Sequence, residues 1–209
     1  MAVYTWPSAG GKAYWPAAVA WRGRFNTKTM VSSLSGYTQT GNVPGSKWAL
    51  SLDFPKQTHA ERRALEGWFA QLAGVQHRAS MFDPAQPVPR GSCNLSGVTV
   101  LTAAAQFATS LQLANCGYPT TLLAGDQIGV ITAGGGQLLK VVADAASSVI
   151  GTMTVEVRHM LRAAVAINSA VTLDRPRLLC ILADPDLAVP YGANNTAPPF
   201  SVDFIEVFA

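Results

Sequence analysis

The stretch from Ser46 to Gly74 constrains the fold more than any other, because it specifies a strand and a helix back to back with both ends marked. Trp48, Leu50, Leu52 and Phe54 occupy every second position with Ala49, Ser51 and Asp53 between them, the period of a strand with one buried face. Pro55 ends that strand. Thr58 and Glu61 have the spacing of a capping box: the hydroxyl accepts the Glu61 N–H and the carboxylate accepts the Thr58 N–H, so a helix begins there. Ala64, Leu65, Trp68, Phe69 and Leu72 recur on one side of it, with Glu61, Arg62, Arg63, Glu66 and Gln71 on the other. Gly74 supplies the left-handed residue that stops a helix. Burying Leu65, Trp68, Phe69 and Leu72 is worth roughly 1.5–3 kcal/mol each, far more than helix propensity supplies. The helix must therefore cover an apolar surface, and the sheet face carrying Trp48 and Leu50 is the expected one.

Around this pair the chain reads as strands and turns. Val3-Tyr4-Thr5-Trp6-Pro7 and a turn at Gly10-Gly11 lead to a run over 19–25 that fits a strand with Val19, Trp21 and Phe25 inward. Residues 26–37 are rich in Ser, Thr and Gly without a sustained period, which reads as a loop or an extended arm. Tyr37-Thr38-Gln39-Thr40 suggests a short strand and Gly41-Asn42-Val43-Pro44-Gly45 a turn. After the helix, 76–82 fits a strand closed by Asp83-Pro84, and the two prolines in 86–91 mark a domain boundary. Beyond it, short apolar runs at 98–100, 110–113, 127–131, 138–142, 153–157, 170–173 and 177–181 alternate with Gly, Asn and Asp turns. That texture describes a small β-barrel or sandwich. Gly134-Gly135-Gly136 reads as a hairpin tip. The closing run 200–208 alternates Phe200, Val202 and Phe204 with Ile205 and Val207 on the other row, so it is expected to be covered on both faces and to rejoin the first sheet. The expected fold is mainly β with one principal α-helix: a β-sandwich or barrel over 1–90 with the helix at 58–73, an inserted all-β module over 91–185, and a linker and returning strand over 186–209.

Composition narrows the function classes. Of 209 residues, 49% are hydrophobic and only 13% charged, so Ser, Thr, Asn, Gln and Gly must cover the surface, or other chains must. The net charge of +3 is too small to argue for nucleic acid without a cluster. Residues 1–90 hold ten basic and four acidic side chains while 91–209 hold five and eight, which suits two domains. Cys93, Cys116 and Cys180 show no C-x-x-C spacing and read as buried free thiols. No run reaches the ~20 apolar residues of a membrane span, and no charged start followed by an apolar core opens the chain; a soluble, non-exported protein with no membrane insertion is expected.

Sites of chemistry do not emerge. His59, His77 and His159 have no second ligand at a metal-binding interval apart from His59 with Glu61, and Glu61 is taken by the cap. No Gly-flanked Ser has the nucleophile-elbow pattern, and Gly134-Gly135-Gly136 lacks the Lys-Ser/Thr of a phosphate loop. Asp53, Asp126, Asp144 and Asp174 each stand at a turn or strand end, where Asp bonds its own backbone. Arg22, Arg24 and Lys28 near Trp21 and Phe25 form a basic and aromatic patch that could grip single strands, although strand aromatics usually pack inward. No catalytic, cofactor-binding or metal-binding residue is predicted, no cofactor is expected, and the chain is not expected to be an enzyme.

Ser33-Leu34-Ser35-Gly36-Tyr37-Thr38-Gln39-Thr40, then Gly45-Ser46-Lys47-Trp48, then the helix ending Gln71-Leu72-Ala73-Gly74, then Phe82-Asp83-Pro84 resembles tail proteins of long-tailed bacteriophages. The second half is similar to a β module common in the same proteins: Leu123-Ala124-Gly125-Asp126-Gln127-Ile128, Gln137-Leu138-Leu139-Lys140-Val141, Asp144, Gly151, Leu161-Arg162 and Arg175-Pro176. It departs at Arg158-His159-Met160, where a proline-rich approach is expected. The resemblance implies a distal tail or tail-tip hub protein on the β-sandwich-plus-helix fold of tail tubes, assembled as a ring, commonly a hexamer. Its partners would be its own copies, the tail tube protein and the hub, with DNA passing through the lumen without specific binding. Its place would be the virion tail tip, after assembly in the bacterial cytoplasm. The aperiodic 26–36 stretch would then lie across the adjacent protomer by strand addition. The competing reading makes the inserted module a binder of host-surface carbohydrate, with exposed aromatics such as Trp15 or Tyr191 as stacking platforms.

Overall fold

The computed structural model describes residues 1–6, 15–42, 45–132, 135–192 and 196–208, and over these the chain is mainly β with a single helix. The turn expected at Gly10-Gly11, the Val43-Pro44 centre of the next turn and the Gly134 hairpin tip lie outside the described residues. Lys47–Phe54 forms a strand in which Trp48, Leu50, Leu52 and Phe54 are buried and the residues between them more open. It belongs to a six-stranded sheet ordered Val3–Thr5, Arg78–Met81, Leu178–Leu182, Phe200–Glu206, Lys47–Phe54, Ala18–Arg24. Neighbours are antiparallel except for Val3–Thr5, which runs parallel to Arg78–Met81.

The sheet curls round the helix His59–Leu72, whose buried residues are Leu65, Trp68, Phe69 and Leu72. Trp68 meets Trp6 edge-on with ring centroids 4.8 Å apart and Phe204 at 6.2 Å, and Phe69 meets Phe54 at 6.5 Å. The cap has the expected form: Thr58 Oγ1 accepts the Glu61 N–H at 3.4 Å and the Glu61 carboxylate accepts the Thr58 N–H at 2.9 Å. Ala64 is exposed, so the apolar stripe is narrower than the spacing suggested. The left-handed turn starts one residue early, at Ala73 (φ 46°), and continues through Gly74 (φ 65°). Glycine is required at the second position, because a Cβ there would stand 3.3 Å from the Pro185 carbonyl oxygen on an already unfavourable backbone.

A second six-stranded sheet is ordered Val171–Thr172, Gln127–Thr132, Gly135–Val141, Met153–Arg158, Ser110–Ala114, Thr99–Val100. Its first and last strands meet. Thr99 bridges Ala170, the Val100 N–H donates to Ser169 O and the Val171 N–H to Val98 O, both at 3.0 Å. The sheet is thereby closed into a barrel around Val100, Leu113, Ile128, Val130, Leu139 and Val155. All of its strands lie between Met81 and Leu178 in sequence, so it interrupts the first sheet.

Strand Leu178–Leu182, expected among the barrel strands, belongs instead to the open sheet, where it pairs with Arg78–Met81 on one side and Phe200–Glu206 on the other. An apolar run with buried alternate residues fits either sheet, and only its partners decide. Phe200–Glu206 is covered on one face, not two: Val202, Phe204 and Glu206 are buried while Ser201 and Asp203 are exposed. Within the 26–37 stretch, read as a loop or an extended arm, Thr27–Val31 forms one strand of a two-stranded antiparallel hairpin with Thr38–Asn42.

Two linkers join sheet and barrel side by side. Phe82 lies under the guanidinium groups of Arg175 and Arg177, 5.9 and 5.1 Å from its centroid, and the Arg175 N–H donates to Pro87 O at 2.6 Å. Buried Asp126 accepts the N–H groups of Arg90 (2.9 Å), Gly91 (3.2 Å) and Leu123 (2.8 Å), tying the incoming linker to the barrel. Asp83 accepts from Gln127 Nε2 at 3.0 Å, and its burial raises its pKa against the lowering effect of those bonds.

Candidate assembly surfaces

The residues weighed for chemistry take structural places. His59 opens the helix, and the His77 ring lies 5.6 Å from Tyr4. Asp53 accepts from Ser201 Oγ at 2.5 Å, Asp144 accepts the Ala124 N–H at 2.7 Å, and Asp174 lines a shallow crevice with Arg175 and Arg177. Among the described residues no three His, Cys, Asp or Glu side chains could share a metal ion, and no helix is long and apolar enough to cross a membrane. The basic and aromatic patch is split by the pleat. Trp21 faces inward against Trp48 with centroids 6.1 Å apart, Arg22 and Arg24 face outward, and Phe25 stacks on His159. Cations and rings on opposite faces do not make a stacking platform for a single strand.

His159, expected to be a solvated or hydrogen-bonded structural histidine, is neither. It is buried between Phe25, stacked at 4.9 Å, and Trp48, edge-on at 4.6 Å, and neither ring nitrogen has a hydrogen-bond partner among the described residues. Burial, with Arg162 nearby, lowers its pKa to about 4. Around it the barrel is fused to the sheet: Trp48 Nε1 donates to Leu138 O at 3.0 Å, and Leu138 packs in the core of the open sheet while Leu139 packs in the barrel. Buried Glu206 accepts the Trp48 N–H at 2.8 Å and faces Arg162 at 2.5 Å, and Arg162 covers the Phe208 ring at 4.0 Å. Beside this junction is a cavity of about 450 Å³ lined by Gln106, Phe107, Gln137, Met160, Arg162 and Phe208 among others. Its two glutamines are already committed within the chain: Gln137 bonds Met160 O and the Arg162 N–H, and Gln106 bonds Arg162 O. The crevice is a seam between domains.

The surfaces left unsatisfied are edges. Ala18–Arg24 and Val3–Thr5 are the two outer strands of the open sheet, and among the described residues neither has a sheet partner on its far side. The face away from the helix runs row by row from Arg24 and Lys47, through Arg22, Ala49 and Ile205 and then Ala20, Ser51 and Asp203, to Ala18, Asp53 and Ser201 at the other end. The hairpin Thr27–Val31/Thr38–Asn42 adds a third. Met30 (70%), Leu34 (99%) and Tyr37 (77%) are largely open to solvent, and Val31 is exposed with them. A two-stranded ribbon that no third strand joins among the described residues is marginal in water, and exposed apolar side chains at its tip mark a contact surface.

The aromatics offered as sugar platforms lie outside the barrel. Trp15 precedes Ala18–Arg24, and Tyr191 stacks on Arg62 of the helix at 4.2 Å. Exposed aromatics on the barrel are Phe107 and Tyr118. Comparison with protein-family models finds no match, and comparison with curated proteins finds none.

Proposed function

We propose that this chain is a structural subunit of a bacteriophage tail, a distal tail ring protein that joins tail tube to tip and leaves a passage for DNA. The observation that carries the reading is the open sheet: two different free edges at opposite ends of one curled layer, with a helix sealing a single face. An edge that differs from its counterpart makes a head-to-tail contact, and head-to-tail contacts close into rings when the rotation permits. The hairpin of residues 27–42 lies on the neighbouring copy and covers Met30, Val31, Leu34 and Tyr37 there. The face turned from the helix lines the passage; its cations Arg22, Arg24 and Lys47 are offset by the carboxylates Asp203 and Asp53 on the same face, which limits the phosphate contacts that would hold DNA back. The tube and hub proteins stack above and below in the virion, and the resemblance in sequence implies a ring commonly of six copies.

Purified full-length protein examined by negative-stain microscopy and mass photometry across a concentration series tests this. Rings are expected, and replacing residues 27–42 with a short Gly-Ser turn abolishes them while the protomer stays folded. A protomer that remains single at high concentration, or rings indifferent to loss of the hairpin, would overturn it. A glycan-array signal that disappears on Phe107→Ala and Tyr118→Ala, without rings, would instead favour the carbohydrate-binding reading.

A further inference from the structure

Two of the three cysteines are a pair. Cys93 stands where the incoming linker joins the barrel, and Cys116 follows the strand Ser110–Ala114; the two are 23 residues apart and both are buried in the barrel core. Backbone bonds hold their segments together: the Asn94 N–H donates to Cys116 O at 3.1 Å and the Cys93 N–H to Thr121 O at 3.1 Å. The Cys93 thiol reaches the Cys116 carbonyl oxygen at 3.7 Å, and the Cys116 thiol reaches the Ala114 carbonyl oxygen at 4.0 Å. Cys180 is different. It lies fully buried in the open sheet and donates to Ala79 O at 3.4 Å.

We infer that Cys93 and Cys116 form an intramolecular disulfide under oxidising conditions, a covalent staple at the root of the inserted barrel, and that Cys180 stays a thiol. With oxidised glutathione as the oxidant, the thiolate of either cysteine attacks one glutathione sulfur and expels a glutathione thiolate. The other cysteine then loses its proton to solvent, attacks the protein sulfur of that mixed disulfide and expels the second. Two protein S–H bonds and one glutathione S–S bond are lost; one protein S–S bond and two glutathione thiols are gained.

The test refolds the full chain from denaturant in a buffer of reduced and oxidised glutathione, where both thiols are reachable before the core closes. Free thiols are then counted with a chromogenic disulfide in denaturant, and proteolytic peptides are mapped without reduction. The expected result is one thiol per chain, against the three in the sequence, and a linked peptide containing Cys93 and Cys116. Cys180→Ser should then leave none, and Cys93→Ser should leave two with no internal bridge. Three thiols in oxidising buffer, a bridge that includes Cys180, or glutathione attached without an internal bridge would each overturn the inference. The same count on never-denatured protein incubated with oxidised glutathione covers a chain that does not refold.

Discussion

The open sheet and the barrel each have six strands, yet they deal with their edges in opposite ways. The barrel joins Thr99–Val100 to residues 168–171 through main-chain hydrogen bonds and satisfies its own rim. The open sheet has a helix on one face and stops at Val3–Thr5 and Ala18–Arg24. Closure removes the template for pairing with another chain, and an open rim preserves it. Fusing the two through Trp48, Leu138 and His159 anchors the sheet to a self-sufficient body while its rims stay available. The difference teaches that the unpaired strand edges of the six-stranded sheets, among the described residues, belong to one half of the molecule.

The largest expected effect separates the halves. Trp68→Ala removes a ring packed against Trp6 and Phe204 and should cost about 3–5 kcal/mol. Because the barrel has a closed core of its own, native-state hydrogen exchange should show protection lost first in Lys47–Phe54 and Phe200–Glu206 while Ser110–Ala114 and Met153–Arg158 stay protected. Simultaneous loss in both would show that the fused seam makes one cooperative unit.

The seam itself can be titrated. His159 has a pKa of about 4 in the fold, against about 6.5 when unfolded. Between those values the unfolded chain binds a proton that the native chain refuses, so its contribution is intact above about pH 6.5 and is lost as pH falls to 4, up to about 3 kcal/mol. Arg162 and Glu206 face the same junction, and the raised pKa of Asp83 works in the opposite sense. Urea unfolding of the wild-type chain and His159→Phe, compared at pH 7.5 and 4.5, isolates the histidine: the variant should lose less stability on acidification. Equal losses would place the acid sensitivity elsewhere. Thr58→Ala should cost about 1 kcal/mol through the lost cap, read as a shift of the urea midpoint at unchanged slope.

What was legible in the sequence follows from what carries local information. The capping box and the Trp48-to-Phe54 alternation are written within a few residues, and both stand in the fold as read. The sheet membership of Leu178–Leu182 was not legible, because period two says that a strand has a buried face and nothing about which strands flank it. Barrel closure rests on backbone groups of residues 98–100 and 168–171, which leave no side-chain signature. His159 sits in an Arg-His-Met run with no periodicity, and its burial depends on Phe25 and Trp48, both more than a hundred residues away in sequence. Cys93 and Cys116 fit no motif spacing and meet only because the barrel brings their segments side by side. The first strand of the hairpin, Thr27–Val31, was not legible as a strand because every one of its side chains is exposed, so neither face selects an alternating pattern.

That hairpin gives the smallest effect on folding and the sharpest test of the contrast. Among the described residues the Thr27–Val31 and Thr38–Asn42 strands pair with each other and with no third strand, and every side chain of the first is exposed. Replacing residues 27–42 with a short turn removes no core residue and shortens a loop whose closure entropy changes by only about 0.6 kcal/mol per doubling. The unfolding free energy should therefore stay within about 0.5 kcal/mol of wild type, the range of surface changes away from special features. If the hairpin serves assembly, the same replacement leaves chemical denaturation unchanged and removes the oligomer in mass photometry. A loss of 2 kcal/mol or more would mean that the ribbon supports its own protomer, and the free surface of the open half would then shrink to the two strand edges.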